Sequence, residues 1–239
     1  MRIAALGDLH VQDAVPEALQ RAFAEAAERA DVLALCGDLT DHGLPSEADA
    51  LADALSACRL PKIAVLGNHD FESGPQPEFL TILKRSGLVV LATEPWVHDG
   101  VGFVGAKGFA GGFGRLALQP WGEHAVKQFV QDAVTEGVTL ERALARLKTE
   151  HAVERAVAML HYAPIRETVE GEALEVFPFL GSSRLVDPLD RFGVAVILHA
   201  HAHHGAPEGR TPQGIPVYNV SLPVLRRHTP GRMYRVIEV

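Results

Sequence analysis

The sequence predicts an α/β fold whose parallel strands deliver polar residues to one rim, and three observations carry that prediction. Short apolar runs end in glycine plus a polar residue at Leu6-Gly7-Asp8, Cys36-Gly37-Asp38 and Leu66-Gly67-Asn68, thirty residues apart. Segments with helical composition fill both intervals. Strand–helix–strand at this spacing implies parallel strands joined by right-handed crossovers. Side chains that follow the carboxyl ends of such strands converge on a shared cleft.

Taken in order, residues 3–6 are the first strand, and 16–30 an Ala/Glu/Arg-rich helix with Pro16 at its first turn. The second strand, 32–35, leads to a helix over 46–58 with Ser46 as a plausible N-cap. Residues 63–66 and 77–86 repeat the pattern. Strands are expected at 88–92 and 101–105, joined by a turn at His98-Asp99-Gly100. The glycine-rich stretch 105–114 lacks the Gly-Lys-Ser/Thr ending of a nucleotide-binding loop and reads as a tight connection. Residues 123–157 turn helical, with a break expected near Glu136-Gly137 and Thr139 as a cap. A helical cap insertion over about 105–155 and a helical layer packed on the sheet both fit this region. Residues 156–160 lead into His161, and Gly181 to Arg184 opens a helix toward Phe192. An apolar strand at 194–198 ends in His199-Ala200-His201-Ala202-His203-His204, and 217–220 and 233–239 read as closing strands.

Composition narrows the functional classes. With 239 residues, 47% hydrophobic and 22% charged, the chain reads as one globular domain over 1–239. A net charge of −8 argues against a broad nucleic-acid surface, which needs a basic footprint. Two cysteines give no disulfide framework, the N-terminus enters a strand directly, and no apolar run is long enough to span a membrane. The expectation is a cytoplasmic protein with no membrane partner.

The strand-end residues Asp8, His10, Asp38, Asp41, Asn68, His69, His161, His201 and His203 form a mixed oxygen/nitrogen donor set. Such a set suits Mn, Fe, Zn, Co or Ni better than Mg or Ca. There are too many donors for one ion, so two adjacent ions are expected. A bridging carboxylate should come from the middle strand, which points to Asp38.

In this set the sequence resembles the calcineurin-like metallophosphoesterases. The resemblance runs from Asp8 to about Gly205 and takes in five motifs in order: Asp8-Leu9-His10, Gly37-Asp38-Leu39-Thr40-Asp41, Gly67-Asn68-His69-Asp70, His161, and His201-Ala202-His203. It implies a four-layer α/β/β/α sandwich of two mixed sheets, with the metal site at strand carboxyl ends. It also implies that Asp8, His10, Asp38 and His203 hold one metal and that Asp38, Asn68, His161 and His201 hold the other. His69 would stand beside the phosphate with Asp41 orienting its ring. The family usually has glycine before its last His-x-His; Ala200 stands there, which requires ordinary backbone angles.

The activity implied is hydrolysis of phosphate esters by a metal-bridging hydroxide with His69 assisting, phosphodiesters favoured. The alternatives are a phosphomonoesterase, a nuclease on nucleic-acid ends, and a scaffold without catalysis. His199 is a candidate for orienting a ligand's tautomer, and Asp70 for fixing the His69 loop. Arg184, with Ser182 and Ser183, is a candidate for an additional anionic group, against the plainer reading of an N-cap with a surface arginine. Tyr162 and Arg166 are candidates for the pocket wall.

Overall fold

The computed structural model describes residues 1–74 and 77–239. Five strands form the first sheet: β1 (Arg2–Leu6), β2 (Val32–Cys36), β3 (Lys62–Val65), β4 (Leu88–Val90) and β11 (Arg235–Glu238). Their order is β11-β1-β2-β3-β4, parallel except for β11, which runs antiparallel to β1. The second sheet holds β5 (Trp96–His98), β6 (Val101–Ala106), β7 (Arg155–Leu160), β8 (Val196–His199), β9 (Glu208–Arg210) and β10 (Pro216–Asn219). Its order is β5-β6-β7-β8-β10-β9, with parallel strands inside and an antiparallel strand at each edge. Both sheets are therefore mixed.

Alternation along each strand explains the layers. Ile3, Ala5, Val32, Ala34, Ile63 and Val65 face one way and pack with Phe103, Val157, Met159, Val196 and Leu198 of the second sheet. Their neighbours Ala4, Leu6, Leu33 and Leu35 face the other way, onto α1 (Glu17–Arg29), α2 (Pro45–Ser56) and α3 (Pro77–Arg85). Strands buried on both faces read as continuous apolar runs, as β2 does. Each fully buried leucine contributes about 1.5–3 kcal/mol. On the far side, Val104, Ala158 and Ile197 meet α4 (His124–Glu150) and α6 (Val186–Phe192). The result is helix–sheet–sheet–helix, and no described helix is long and apolar enough to cross a membrane.

Several local expectations change. The helix expected to break at Glu136-Gly137 is one 27-residue element, α4, and Thr139 lies inside it. Gly137 answers a packing demand: a Cβ there would lie 3.2 Å from the Arg184 carbonyl oxygen. Through Leu140, Ala143, Leu144 and Leu147, α4 packs against the second sheet. The Asp99-Gly100 turn does not join the strand at 88–92 to the one at 101–105. It closes a hairpin of β5 on β6, both turn residues having positive φ, while β4 belongs to the other sheet. Ser46 does not cap α2. Pro45 begins the helix, and the Glu47 carboxylate accepts the Leu44 and His42 amides. The tail contains an unexpected helix, α7 (Leu222–His228), capped by Ser221 Oγ, and a short α5 (Phe177–Leu180) precedes Gly181.

Replacing Gly137 by Val should lower unfolding free energy by about 2 kcal/mol, because α4 must back away from the Arg184 carbonyl. Denaturant titration reads this, and an unchanged midpoint would show that the contact relaxes freely.

Candidate metal centre

The carboxyl ends of β1, β2 and β3 supply Asp8 and His10, Asp38 and Asp41, and Asn68 and His69 from the first sheet. Those of β7 and β8 supply His161, His201 and His203 from the second. Close packing of the sheets brings the two sets face to face, with Gly37 making the approach: a Cβ there would fall 2.5 Å from His161 Nδ1. A Cβ at Gly67 would fall 2.1 Å from Asp38 Oδ1, so only a bare backbone fits against that carboxylate.

Asp38 is buried at the middle. Its Oδ1 accepts the His69 amide at 2.9 Å and lies 3.4 Å from His161 Nε2, while Oδ2 lies 3.9 Å from His10 Nε2. His161 Nε2 is also 3.0 Å from Asn68 Oδ1, and its Nδ1 hydrogen-bonds the Cys36 carbonyl at 3.0 Å. Asp8, also buried, accepts the His201 amide at 3.0 Å and faces His203 Nε2 at 3.5 Å. The potential ligand atoms fall into three overlapping groups: Asp8, His10 and His203; His10, Asp38 and His69; and Asp38, His161 and His201. Six of the seven residues expected as ligands fall in these groups together with His69, and Asn68 joins them through its contact with His161.

Local electrostatics follow from two buried carboxylates facing imidazoles. Burial pushes the Asp38 carboxyl up, but His161 and the His69 amide together hold it well below the usual carboxylate range. Burial likewise pushes His161 down, yet Asp38 and Asp8 carry it up to about 9. His201 is pushed down to about 3 by burial and by the neighbouring His161. The backbone is strained at the same positions: Asp8, His10, Asp38 and His201 all have positive φ. Left-handed non-glycine residues cost roughly 1–3 kcal/mol each and cluster at functional sites.

A metal fits this donor set. Both ring nitrogens of His10 are buried without a hydrogen-bond partner, an orphaned pair next to two carboxylates. Carboxylate, amide oxygen and imidazole together match transition-metal preferences.

Other expected residues sit differently. Asp41 reaches His69 through its backbone carbonyl, 2.7 Å from Nδ1, whereas its carboxylate is 3.9 Å away. That carboxylate instead accepts from Gln12 Nε2 at 2.7 Å and lies 3.3 Å from His10 Nδ1. Asp70 lies beneath the loops, accepting the Leu39, Thr40 and Gly67 amides and the Thr40 hydroxyl. His199 is outside the ligand groups, its ring bonded to Thr168 Oγ1 and the Ala200 carbonyl. Arg184 donates to the Leu118 carbonyl at 2.8 Å, which ties it to the 111–118 loop. Ser182 Oγ accepts the Arg184 amide as an N-cap, and Arg184 is no surface arginine: its Nη1 is buried without a hydrogen-bond partner. Ala200 does not have positive φ, and its methyl occupies the space a Cβ at Gly7 would need, 2.6 Å away.

Three supporting residues carry no clear sequence signal. Arg227 of α7 donates to the His203 carbonyl at 2.9 Å, and Asn219 donates to the Ala202 carbonyl at 2.8 Å, so both brace the His-x-His loop. Lys107, just past β6, lies beside the Tyr162 ring, which packs 4.3 Å from the ring of His201.

The calcineurin-like phosphoesterase profile matches residues 1–205 of the sequence. The chain belongs to that family. The family hydrolyses phosphate esters at a binuclear metal centre. Comparison with curated proteins gives no match. Among solved structures, phosphopantetheinyl hydrolase from Mycobacterium tuberculosis is similar at a TM-score of 0.65 and 16% identity, over 98% of this chain and 95% of that one. The protein TT1561 of Thermus thermophilus is similar at 0.58 and 19% identity, over 93% and 90%. A putative 5′-nucleotidase from Staphylococcus aureus reaches 0.55 at 16% identity; the match covers 91% of this chain but 48% of that one. At these identities the likeness is one of fold.

Asp70→Ala should cost about 3 kcal/mol of stability, since it strands four buried donors joining the Asp38 and His69 loops. Loss of less than about 1 kcal/mol in chemical denaturation would mean that water replaces the carboxylate.

Proposed function

We propose that this chain hydrolyses phosphate esters, phosphodiesters in preference to monoesters, at a two-metal site. One observation carries the reading: Asp38 belongs to two overlapping ligand groups, one with His10 and His69 and the other with His161 and His201. A carboxylate so placed suits sharing between two ions. On this reading Asp8, His10, Asp38 and His203 would hold one ion, and Asp38, Asn68, His161 and His201 the other. When bound, a pair of transition-metal ions supplies an activated water and neutralises charge building on phosphorus.

The remaining work falls to the chain's own groups. His69 is the proton-transferring residue. Its Nδ1 donates to the Asp41 carbonyl at 2.7 Å, which fixes the ring and makes Nε2 the working nitrogen. The ring is partly exposed and stands edge-on to His10, with 4.6 Å between centroids. From there it protonates the departing oxygen or stabilises charge on the phosphoryl group. Asp41 orients the His69 ring through its carbonyl, while its carboxylate stands 3.3 Å from the unpartnered His10 Nδ1. The Gly-Asn-His-Asp form around His69 resembles members that cleave phosphodiesters, including cyclic nucleotides, as well as monoesterases. Two proteins of the same fold named phosphopantetheinyl hydrolase and putative 5′-nucleotidase are consistent with small organic phosphates as the substrate class.

The test is metal-reconstituted turnover of p-nitrophenyl phosphate against bis-p-nitrophenyl phosphate, followed by cyclic nucleotides. The diester should be the better substrate, and a strong monoester preference would overturn the diester assignment. Asp38→Asn should abolish both metal loading and turnover. His69→Ala should keep the metals and lose roughly 10²–10⁴-fold in rate. The reverse pattern, an empty site in His69→Ala and a filled one in Asp38→Asn, would reverse the roles.

A further inference from the structure

We infer that Lys107 is a substrate-positioning cation, taking a second anionic group that the ester carries beyond its reacting phosphate. This inference rests on the phosphoesterase reading. The Lys107 carbonyl accepts the amides of both His161 and Tyr162, each at 3.1 Å, so its backbone is tied to the strand end bearing a proposed ligand. Its ammonium lies 5.2 Å from the centroid of Tyr162, the ring that packs on His201. On the other side it lies 6.0 Å from Phe71, two residues beyond His69. The charge thus stands between the loops that hold the two halves of the site.

Its hydrogen bonding is incomplete. An ammonium carries three donors, and one goes to the Gly108 carbonyl at 2.9 Å. The paired carboxylate oxygen, Glu136 Oε1, is 3.9 Å away, beyond hydrogen-bond distance. Among the described residues nothing accepts from the other two donors. Phe71, Phe109 and Tyr162 surround the group; their ring faces attract a cation but replace no acceptor. The side chain is only 20% exposed, so water meets a small part of it.

A purely structural role is already filled. Glu136 Oε2 accepts the Gly108 amide at 2.9 Å, which fixes this loop to α4 without help from the ammonium. The reacting phosphate would meet His69 and whatever metals the ligand groups hold, at the centre of those groups. A cation set outside them, across the Tyr162 ring, meets what is attached to that phosphate. The substrate class that fits is an ester whose organic part bears another phosphate or a carboxylate. In a chain of net charge −8, such local positive charge is where an anionic arm gains most.

Thymidine 5′-(p-nitrophenyl phosphate), with and without a 3′-phosphate, tests this on one chromophore and one scissile bond. The native enzyme should prefer the 3′-phosphorylated ester through KM. Lys107→Met should shrink that preference about 10- to 100-fold, and Lys107→Arg should retain most of it. Equal losses on both esters in Lys107→Met, or no preference in the native enzyme, would overturn the inference. Calorimetry with thymidine 3′,5′-bisphosphate against thymidine 5′-monophosphate, on samples shown to release no phosphate, reads the same contact through binding alone. A Lys107-dependent difference there, with neither ester hydrolysed, would sink the phosphoesterase reading and leave the anion contact standing. No difference in calorimetry would overturn the contact itself.

Discussion

Two carboxylates out of water, Asp8 and Asp38, are the constraint around which the rim is built. A buried charge is tolerable only with partners close at hand, and the fold provides them from two directions. Backbone amides of His201 and His69 reach in from the loops, and imidazoles of His161 and His203 reach in from the second sheet. To present the carboxylates at this angle, Asp8 and Asp38 accept left-handed backbone conformations, and a glycine next to the Asp38 loop gives up its side chain. Further out, Asp70, Arg227 and Asn219 act on backbone groups and fix the loops that carry the donors. Positions and chemistry are thus one problem, solved by sheet packing.

Much of this was legible in the chain. Apolar runs ending in Gly-Asp or Gly-Asn gave the parallel strands of the first sheet, because a strand buried on both faces leaves an unbroken hydrophobic stretch. Asp8, His10, Asp38, Asn68, His161, His201 and His203 all meet, as their strand-end positions require. The division into two sheets came from the family resemblance and not from the pattern, since period-two burial looks the same in an open sheet. The edge strands β5 and β9, three residues each and only partly buried, have no period to read, whereas the equally short β4 stands in an apolar run. Gly137 misled for a physical reason: glycine marks a helix end or a close approach, and only the neighbouring Arg184 carbonyl distinguishes them.

Side-chain partners were the least legible. Asp41 offers a carbonyl to one histidine and a carboxylate to another, a division no spacing rule contains. His199 sits between strand and ligand loop, yet its ring bonds Thr168, thirty-one residues away in sequence. Lys107 drew notice only as part of a glycine-rich stretch, and its cage is assembled from Phe71, Phe109 and Tyr162, each from a different loop. Such contacts depend on the tertiary fold and leave no local trace.

Two of the three ligand groups draw members from both sheets: Asp8 and His10 with His203, and Asp38 with His161 and His201. A bound cation would therefore act as a rivet through the sandwich, crossing the seam between two otherwise apolar faces. Sliding or parting of the sheets would have to break coordination before exposing the core. Metal loading would then govern how slowly the folded chain comes apart, in addition to whether it is active.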